Sequence, residues 1–488
     1  MIYDASKTTG KESTWKTILT APRDDDSEYE RLSITARADD AYKNNPLAKS
    51  AIERVVDFTI GCGMRLYVNL DHEALGISKE EAQVYGRQYE REFDLWASSK
   101  NSDAQRTLPF YAMQALVMTT ADLRGDCFVD TPMIPSRGRY ELSLNLIEGD
   151  RVSNPYLALD RDKLTNGIEL DKWGAPCRYH IRKAHPADVE SQNKAYEWDS
   201  FPRYVNGFER VLHVFRKRRG YRGVSILSTA LKTLRKISQL DEAELDAAVL
   251  NALFAVISQT PTGEGIGFPQ QRYGVTETET GAIPLNKEEK KNSVLDTGLI
   301  VNKMEGDKIE FVDPKRPNIN VMNYTAELYK RLASGMGIPV EELMLNYNKS
   351  YSASRAAMLR AWEKYKILRY WIEYSLCDPI YKLWFHEAYV KGYIQAPGYE
   401  DPRFRDYWNQ SDWIGVGKGS IDELKEAQAA TERIANGTSN IQIESREQKG
   451  RDYFREVHSQ RVLETTKRKE DGLEGGGGKN GIVADDVS

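Results

Sequence analysis

Arg216-Lys217-Arg218-Arg219-Gly220-Tyr221-Arg222-Gly223-Val224-Ser225 opens the stretch that decides how this 488-residue chain is read. Five of the seven residues from Arg216 to Arg222 are basic, and a turn at Gly223 follows. A helical pattern then runs from Ser225 to about Ser258. Leu227, Leu231, Leu234, Ile237, Leu240, Ala243, Ala247, Leu250, Phe254 and Ile257 recur at spacings of three and four, one continuous apolar stripe. Ser225 suits the N-cap, and Pro261 with Gly263 stops the pattern. At 1.5 Å per residue this helix would be roughly 50 Å long, enough to run along a channel or through a bundle.

Working outward, the length predicts two or more domains. Hydrophobic residues at 40% and charged residues at 29% suit a soluble globular protein with a sizeable core. The net charge of −5 means that any nucleic-acid contact is local. Nowhere do ~18 apolar residues run together, so no membrane span is expected. Met1-Ile2-Tyr3-Asp4 begins no apolar signal region, so synthesis and assembly in a cytoplasm are expected. Nine Trp and 27 Tyr fit large subunit interfaces as well as a core. Cys62, Cys127, Cys177 and Cys377 share no metal-ligand spacing and read as reduced structural thiols.

Residues 1 to about 28 read as a mobile polar arm. Tyr29 to Thr59 is helical, interrupted at Asn44-Asn45-Pro46 and ended by Gly61-Cys62-Gly63. That Gly-x-Gly follows a helix and precedes a strand pattern, the reverse of a dinucleotide-binding glycine run. Ser78 to Ser98 is a helix with a Ser78/Glu81 capping box, and Thr107 to Arg124 is another, closed by Gly125. Between 126 and 215 the pattern changes to short strands, with a hairpin turn at Asp171-Lys172-Trp173-Gly174. There Cys177, Tyr179 and Ile181 alternate with Arg178, His180 and Arg182. A strand-rich module between two helices suggests an excursion from a helical stalk. Thr260 to Pro284 reads as loop. Asn323 to Ser334 and Ser352 to Leu376 are helices, the latter broken by Asp378-Pro379 before a helix over Ile380 to Val390. Residues 397 to 419 read as loop, and Ser420 to Asn436 as a helix with a Ser420/Glu423 capping box. Helical patterns follow to about Lys469, and a Gly-rich disordered tail begins at Gly472.

No HExxH, Walker A or Gly-x-Ser-x-Gly pattern is present, and the six histidines are scattered. No catalytic residue, cofactor or metal is expected. Acidic pairs such as Asp241-Glu242 and Glu341-Glu342 read as solvated helix faces. Two features remain. The basic residues Arg216, Lys217, Arg218, Arg219 and Arg222 suit either a solvated strand end or a contact to phosphates or an acidic partner. The polar loop Asn346-Tyr347-Asn348-Lys349-Ser350-Tyr351-Ser352 is either an ordinary connection or a surface that brushes a passing polyanion without holding it.

Several stretches, in order, resemble the lambda-type portal protein family of tailed bacteriophages. They are Arg37-Ala38 with Asn44-Asn45-Pro46-Leu47-Ala48, Leu146-Ile147-Glu148-Gly149-Asp150-Arg151, Gly167-Ile168-Glu169, Gly174-Ala175-Pro176 and Arg222-Gly223-Val224-Ser225-Ile226-Leu227. Gly337-Ile338-Pro339 through Tyr351-Ser352-Ala353-Ser354-Arg355-Ala356-Ala357 and the run Lys425-Glu426-Ala427, Gly437-Thr438 and Gly450-Arg451-Asp452 complete the set. The match spans about residues 30 to 465. It departs where Val416-Gly417-Lys418-Gly419 replaces the family's Val-Asp-Pro turn, and in the middle of 260–320.

The resemblance implies an α+β portal-type fold of wing, helical stem, strand-rich clip and helical crown. It implies a homo-oligomeric ring of about twelve copies around a DNA channel. The implied parts are an arm (1–28), wing (29–106), first stem helix (107–125), clip (126–218), second stem helix (219–259), second wing part (260–376), crown (377–471) and tail (472–488). The loop 345–352 falls at the tunnel loop facing DNA. The implied partners are double-stranded DNA, the major capsid protein, the large terminase subunit and head-completion or adaptor proteins, with no membrane. The implied place is the capsid portal vertex, with ATP hydrolysis left to the terminase. A non-ring DNA-binding module using Arg216–Arg222, or a nuclease with dispersed carboxylates, remains as an alternative.

Overall fold

Asn45 sets the first two elements locally. α1 (Glu28–Asn44) ends before it and α2 (Pro46–Thr59) starts after it. Its side chain accepts the Leu47 and Ala48 amides at 2.9 and 3.1 Å, and Pro46 sits where a missing N–H costs nothing. The computed structural model describes residues 28–135, 138–217, 219–253, 257–259, 301–303, 319–346, 351–419 and 422–473. The arm, most of 260–318 and the tail beyond 473 lie outside the described residues.

After α2, Gly61 and Gly63 turn the chain with φ of +57° and +101°. A Cβ on Gly63 would lie 2.5 Å from that of Tyr111. β1 (Arg65–Tyr67), α3 (His72–Leu75), α4 (Lys79–Ala97) and α5 (Phe110–Arg124) follow. The Ser78/Glu81 capping box of α4 is present, with both bonds made.

Strands then dominate: β2 (Asp126–Asp130), β3 (Asn145–Glu148), β4 (Leu164–Thr165), β5 (Ile168–Leu170) and β6 (Pro176–Arg182). A short α6 (Gln192–Ala195) precedes β7 (Trp198–Pro202), β8 (Tyr204–Val205), β9 (Phe208–Glu209) and β10 (Val211–Phe215). They form a sheet in the order β10-β2-β3, a sheet in the order β4-β5-β6-β7, and the β8–β9 hairpin. β2 is buried along its whole length, with Phe128 opposite Ile147 on one side and His213 on the other. Phe128, Ile147, Val152, Ile168, Tyr179, Ile181 and Val211 pack into one cluster across the two sheets. The expected turn before β6 is made by Asp171, whose Oδ1 accepts the Trp173 and Ala175 amides at 2.8 Å each. Tyr179 and Ile181 are buried as their alternation requires, whereas Cys177, of the same parity, is exposed.

The rest is largely helical: α7 (Leu231–Leu253), the strands β11 (Ile257–Gln259) and β12 (Val301–Lys303), α8 (Ile319–Met336), α9 (Val340–Met344), α10 (Tyr351–Ile372) and α11 (Asp378–Val390). The Asp378-Pro379 pair does not break the helix. A π-helical turn over Glu373–Cys377 carries the chain from α10 into α11 and accommodates the proline at the start of the latter. α12 (Pro402–Trp408) and β13 (Asp412–Ile414) occupy the segment expected to be loop. β13 pairs antiparallel with β1, setting Trp413 opposite Leu66. Around that pair Phe93 meets Trp384, Tyr381, Trp413 and Phe110 edge-on at 5.1 to 5.9 Å between ring centroids. α13 (Glu423–Ala435), α14 (Ile441–Lys449), a second π-helical segment at Tyr453–His458 and α15 (Ser459–Glu470) end the described chain. α13 is capped by Asp422, whose side chain accepts the Lys425 amide.

The fold is therefore mixed helix and sheet, and it divides into two compact units. One runs to Leu231 and resumes at Ala333; the other is Lys232 to Leu332. The second holds α7 after its first residue, most of α8, and β11 paired in parallel with β12, Ile257 opposite Val301. This differs from the expected layout. α5 is a core helix, with Phe110, Met113, Val117, Met118 and Ala121 buried. Residues 126–215 share the core of the first unit and do not form an excursion from a stalk.

The long helix also starts later than Ser225. The Ile226 amide and the Ser225 hydroxyl bond to the Asp122 carbonyl at 2.9 and 3.4 Å, and a turn fills 226–230. Just before, Gly223 crosses Gly125 so closely that a Cβ on Gly125 would lie 2.5 Å from the Gly223 carbonyl oxygen. A Cβ on Gly223 would strike the Gly125 carbonyl in turn. Gly223→Ala should therefore cost about 1–3 kcal/mol through overpacking; a denaturation midpoint equal to wild type would refute the close crossing.

Candidate functional site

The basic run does not lie open to solvent as a unit. Arg216 donates to the buried Asp122 carboxylate at 2.6 Å and sits 5.3 Å over the Trp371 ring. Lys217 is exposed, 5.1 Å from the Tyr221 ring, and Arg219 is exposed too. Arg218 lies outside the described residues. Arg222 is 1% exposed. Its Nη1 donates to the Val152 and Asn166 carbonyls at 2.9 and 2.8 Å, and its Nη2 to the Gly149 carbonyl and Asp126 Oδ1 at 2.6 and 3.1 Å. Its Nε donates to Asp126 Oδ2. All of its N–H groups are thereby engaged, so the reading of Arg222 as a phosphate contact is corrected: it is an internal pin.

The motif Glu148-Gly149-Asp150-Arg151 gains a physical meaning from this pin. Gly149 has no side chain because Asp126 Oδ1 occupies the place of its Cβ. Asp150 accepts Arg124 at 2.8 Å and lies 3.7 Å from Arg31. Arg124 also reaches Asp39 at 2.8 Å and Glu148 at 3.5 Å. Arg151 donates to the Arg182 and Lys183 carbonyls. One charged network thus ties α1, α5, β2 and the 149–151 turn to the residue before Gly223.

Burial alone would raise the Asp126 carboxyl, but Arg222 and the His213 hydrogen bond hold it well below the usual carboxylate range. Burial and the neighbouring Arg222 push Arg31 down to about 10. His213 lies 3.3 Å from Asp126 and is stacked between Phe128 and Phe215 at 4.1 Å on each side. Burial pushes it down to about 4, against the pull of Asp126, so it is neutral in the fold at pH 7.

The second candidate, Asn346 to Ser352, is described only at its ends. Tyr347, Asn348, Lys349 and Ser350 lie outside the described residues, and Tyr351 and Ser352 begin the backbone of α10. α2 packs against both α9 and α10, the helices on either side. Ser50 donates to the Leu343 carbonyl on α9 at 3.2 Å. Arg369 of α10 donates to the Phe58 and Thr59 carbonyls at 2.8 and 3.0 Å, covering the C-terminal end of α2. Phe58 stacks on Tyr365 at 5.4 Å, and the Tyr365 hydroxyl donates to Glu342 at 2.8 Å. Glu341 and Glu342 are 8% and 2% exposed, not a solvated face, and burial raises the Glu342 carboxyl.

Sequence reading missed Asp122 and Asp126 as the partners of the basic run. A signal existed: acids at both ends of the apolar strand Asp126-Cys127-Phe128-Val129-Asp130 must be neutralised if the strand is central. Among the described residues no group of His, Cys, Asp and Glu could hold a metal, and no helix is long and apolar enough to cross a membrane. The described arrangement holds backbone in place and presents no nucleophile–base pair.

A structural protein built on these motifs is what the comparisons with known proteins return. The family described as phage portal protein, lambda family, matches residues 8–369. Portal protein B of Escherichia phage lambda is 25% identical over 463 residues, covering 90% of this chain and 84% of its own length. The portal protein of Escherichia phage N15 is 24% identical over 462 residues, with the same coverage. Among solved structures, the neck of a native gene transfer agent particle matches with a TM-score of 0.44 at 13% identity, over 86% of this chain and 93% of that one. The chain belongs to the lambda family of phage portal proteins. It is a portal protein of a tailed phage, and the general function of that class is to provide the channel for DNA.

Removing one side of the buried pair by Arg222→Ala should destabilise the protein by about 3–5 kcal/mol. Lys217→Ala, exposed five residues earlier, should stay within about 0.5 kcal/mol of wild type. Chemical denaturation of both variants checks the contrast. A pH series tests His213. Its folded pKa lies below its usual value, so the unfolded chain binds the proton first. Stability should therefore fall as pH drops from 6.5 to about 4, and His213→Gln should flatten that slope in thermal melts.

Proposed function

We propose that this portal protein works as a closed ring of about twelve copies at one capsid vertex, through which double-stranded DNA enters and later leaves. One observation carries the ring. The apolar stripe of α7 is buried at Leu234 and Ile237, at 2% and 1% exposure; further along, Leu240 and Ala247 are half-buried and Ala243 is exposed, and off the stripe Leu245 and Val249 are exposed by 65% and 51%. A single copy leaves that surface wet, and neighbouring copies in a ring would cover it.

On this reading α7 and α8 are the stem, and the segment joining them is the clip that meets the large terminase subunit and then the head-completion or adaptor proteins. The first unit is wing and crown, beside the major capsid protein and the head interior. The loop 345–352 lines the channel, where Lys349 and its polar neighbours touch DNA without holding it. Tight phosphate binding would brake the sliding strand. The chain makes no chemical step of its own, and assembly takes place in the host cytoplasm. The non-ring DNA-binding alternative is weakened by the burial of Arg222 and the pairing of Arg216 with Asp122.

The test is the solution mass of the purified protein with negative-stain images, repeated for Lys349→Ala. Open-centred rings are expected for both, with DNA packaging or retention altered in the variant. A variant that packages and retains DNA as wild type does would remove Lys349 from the channel. Tight, salt-dependent duplex binding by a monomer would favour the alternative.

A further inference from the structure

We infer that residues 15–19 of the N-terminal arm dock on an exposed apolar tip, residues 156–159, of their own copy. The tip is Tyr156-Leu157-Ala158-Leu159, with Tyr156, Leu157 and Leu159 exposed by 87, 55 and 86%. Single exposed apolar side chains are ordinary, but three within four residues form a patch. The Tyr156 ring also lies 5.8 Å from that of the half-buried Trp198, which widens the patch.

The tip is held in place. Tyr156 and Leu157 have φ of +55° and +56°, a strained region for residues other than glycine. The buried Asn154 ties the loop together. Its Nδ2 donates to the Ala158 carbonyl at 2.9 Å and to Asp160 Oδ1 at 2.7 Å, and its Oδ1 accepts the Gly167 amide at 2.6 Å. Asp160 Oδ1 also accepts the Asn166 amide at 2.9 Å. Three apolar side chains are thereby kept in water, and a segment that covers them is favoured by the area it removes from solvent.

The chain itself leads to this place. Its described part opens at Glu28, whose carboxylate is 4.0 Å from Arg182 Nη2. The Arg182 guanidinium lies 5.3 Å from the Trp198 ring, the same ring that Tyr156 meets. The point where the arm joins α1 is therefore three short contacts from the tip. Between Tyr3 and Glu28 the large apolar residues are Trp15, Ile18 and Leu19, set among polar and small ones.

The tether has the length the docking needs. The eight residues 20–27 reach up to about 28 Å, enough to bring Leu19 to the tip. Asp24-Asp25-Asp26 lie within it, and like charges side by side favour an extended linker. A segment held this way is present at the tip at roughly millimolar effective concentration, an advantage that a partner in free solution lacks. The docking lies within one copy and holds whether or not copies form a ring.

The test places Leu19→Cys and Leu159→Cys in the full chain, with Cys62→Ser and Cys177→Ser removing the exposed thiols. After mild oxidation, a non-reduced tryptic digest should contain peptide 17–23 joined to peptide 152–161. The joined peptide should come from protein that still runs at the 55.6 kDa of a single chain. A joined peptide confined to dimers and larger species would put the segment on a neighbouring copy and overturn docking within one copy. No joined peptide overturns the docking altogether. Brief trypsin treatment of the native protein gives an independent readout at Lys16 and Arg23. Tyr156→Ser with Leu159→Ser should leave the melting temperature unchanged and speed cleavage at both sites at least tenfold. Equal cleavage rates in wild type and variant overturn the docking even where the disulfide forms, because the tether alone then accounts for it.

Discussion

Arg222 and Asp126 form a fully buried ion pair, and the first unit is arranged around the need to satisfy it. A charge inside a protein is tolerable only when nearly every donor and acceptor around it is matched. Here the match is drawn from carbonyls at Gly149 and Val152, the two ends of one turn, and at Asn166 in a second turn. Fixing those turns fixes how β2, β3 and β5 sit beside one another. The same pin fixes Gly223 against Gly125, and with it the backbone that leads to Leu231. A packed apolar residue in place of Arg222 could fill the volume, but it could not specify both turns at once.

The second organising feature is α2. Its outer carbonyls take Arg369, and Ser50 on its flank reaches the Leu343 carbonyl of α9. The helices before and after the 347–350 segment, α9 and α10, are therefore both tied to α2. The Glu373 carboxyl, pushed up to about 7 by burial and by Asp378, lies in the π-helical turn that follows α10. That turn lets a proline follow α10 without ending it.

Several motifs that carried the family resemblance turn out to be parts of one junction. Leu146 to Arg151 supplies one acceptor, the Gly149 carbonyl, Arg222-Gly223-Val224-Ser225 supplies the pin and the crossing, and Gly125 receives it. None of these is a catalytic signature, and no spacing rule links them, because they meet only in three dimensions. This explains why the basic run looked like a possible phosphate contact. Charge is visible in a sequence, but the carboxylate that neutralises it lies 96 residues away.

The amino-acid sequence by itself determined the local elements. Ser78 capped its helix as read, Asn44-Asn45-Pro46 interrupted the helical pattern, Asp171-Lys172-Trp173-Gly174 turned the strand, and Tyr179 and Ile181 faced inward. These outcomes depend on neighbours within a few residues, where propensity and hydrogen-bond geometry act directly. It also determined the family, through the order of its motifs. The tertiary structure alone decided which helices belong to the core. α5 and the segment at 225–258 carried similar apolar patterns, yet the first is largely buried, while the described stripe of the second is buried to Ile237 and only half-buried or exposed from Leu240 to Ala247. An apolar stripe says that a face will be covered but not by what. It cannot distinguish a core partner within the same chain from a surface left for another copy.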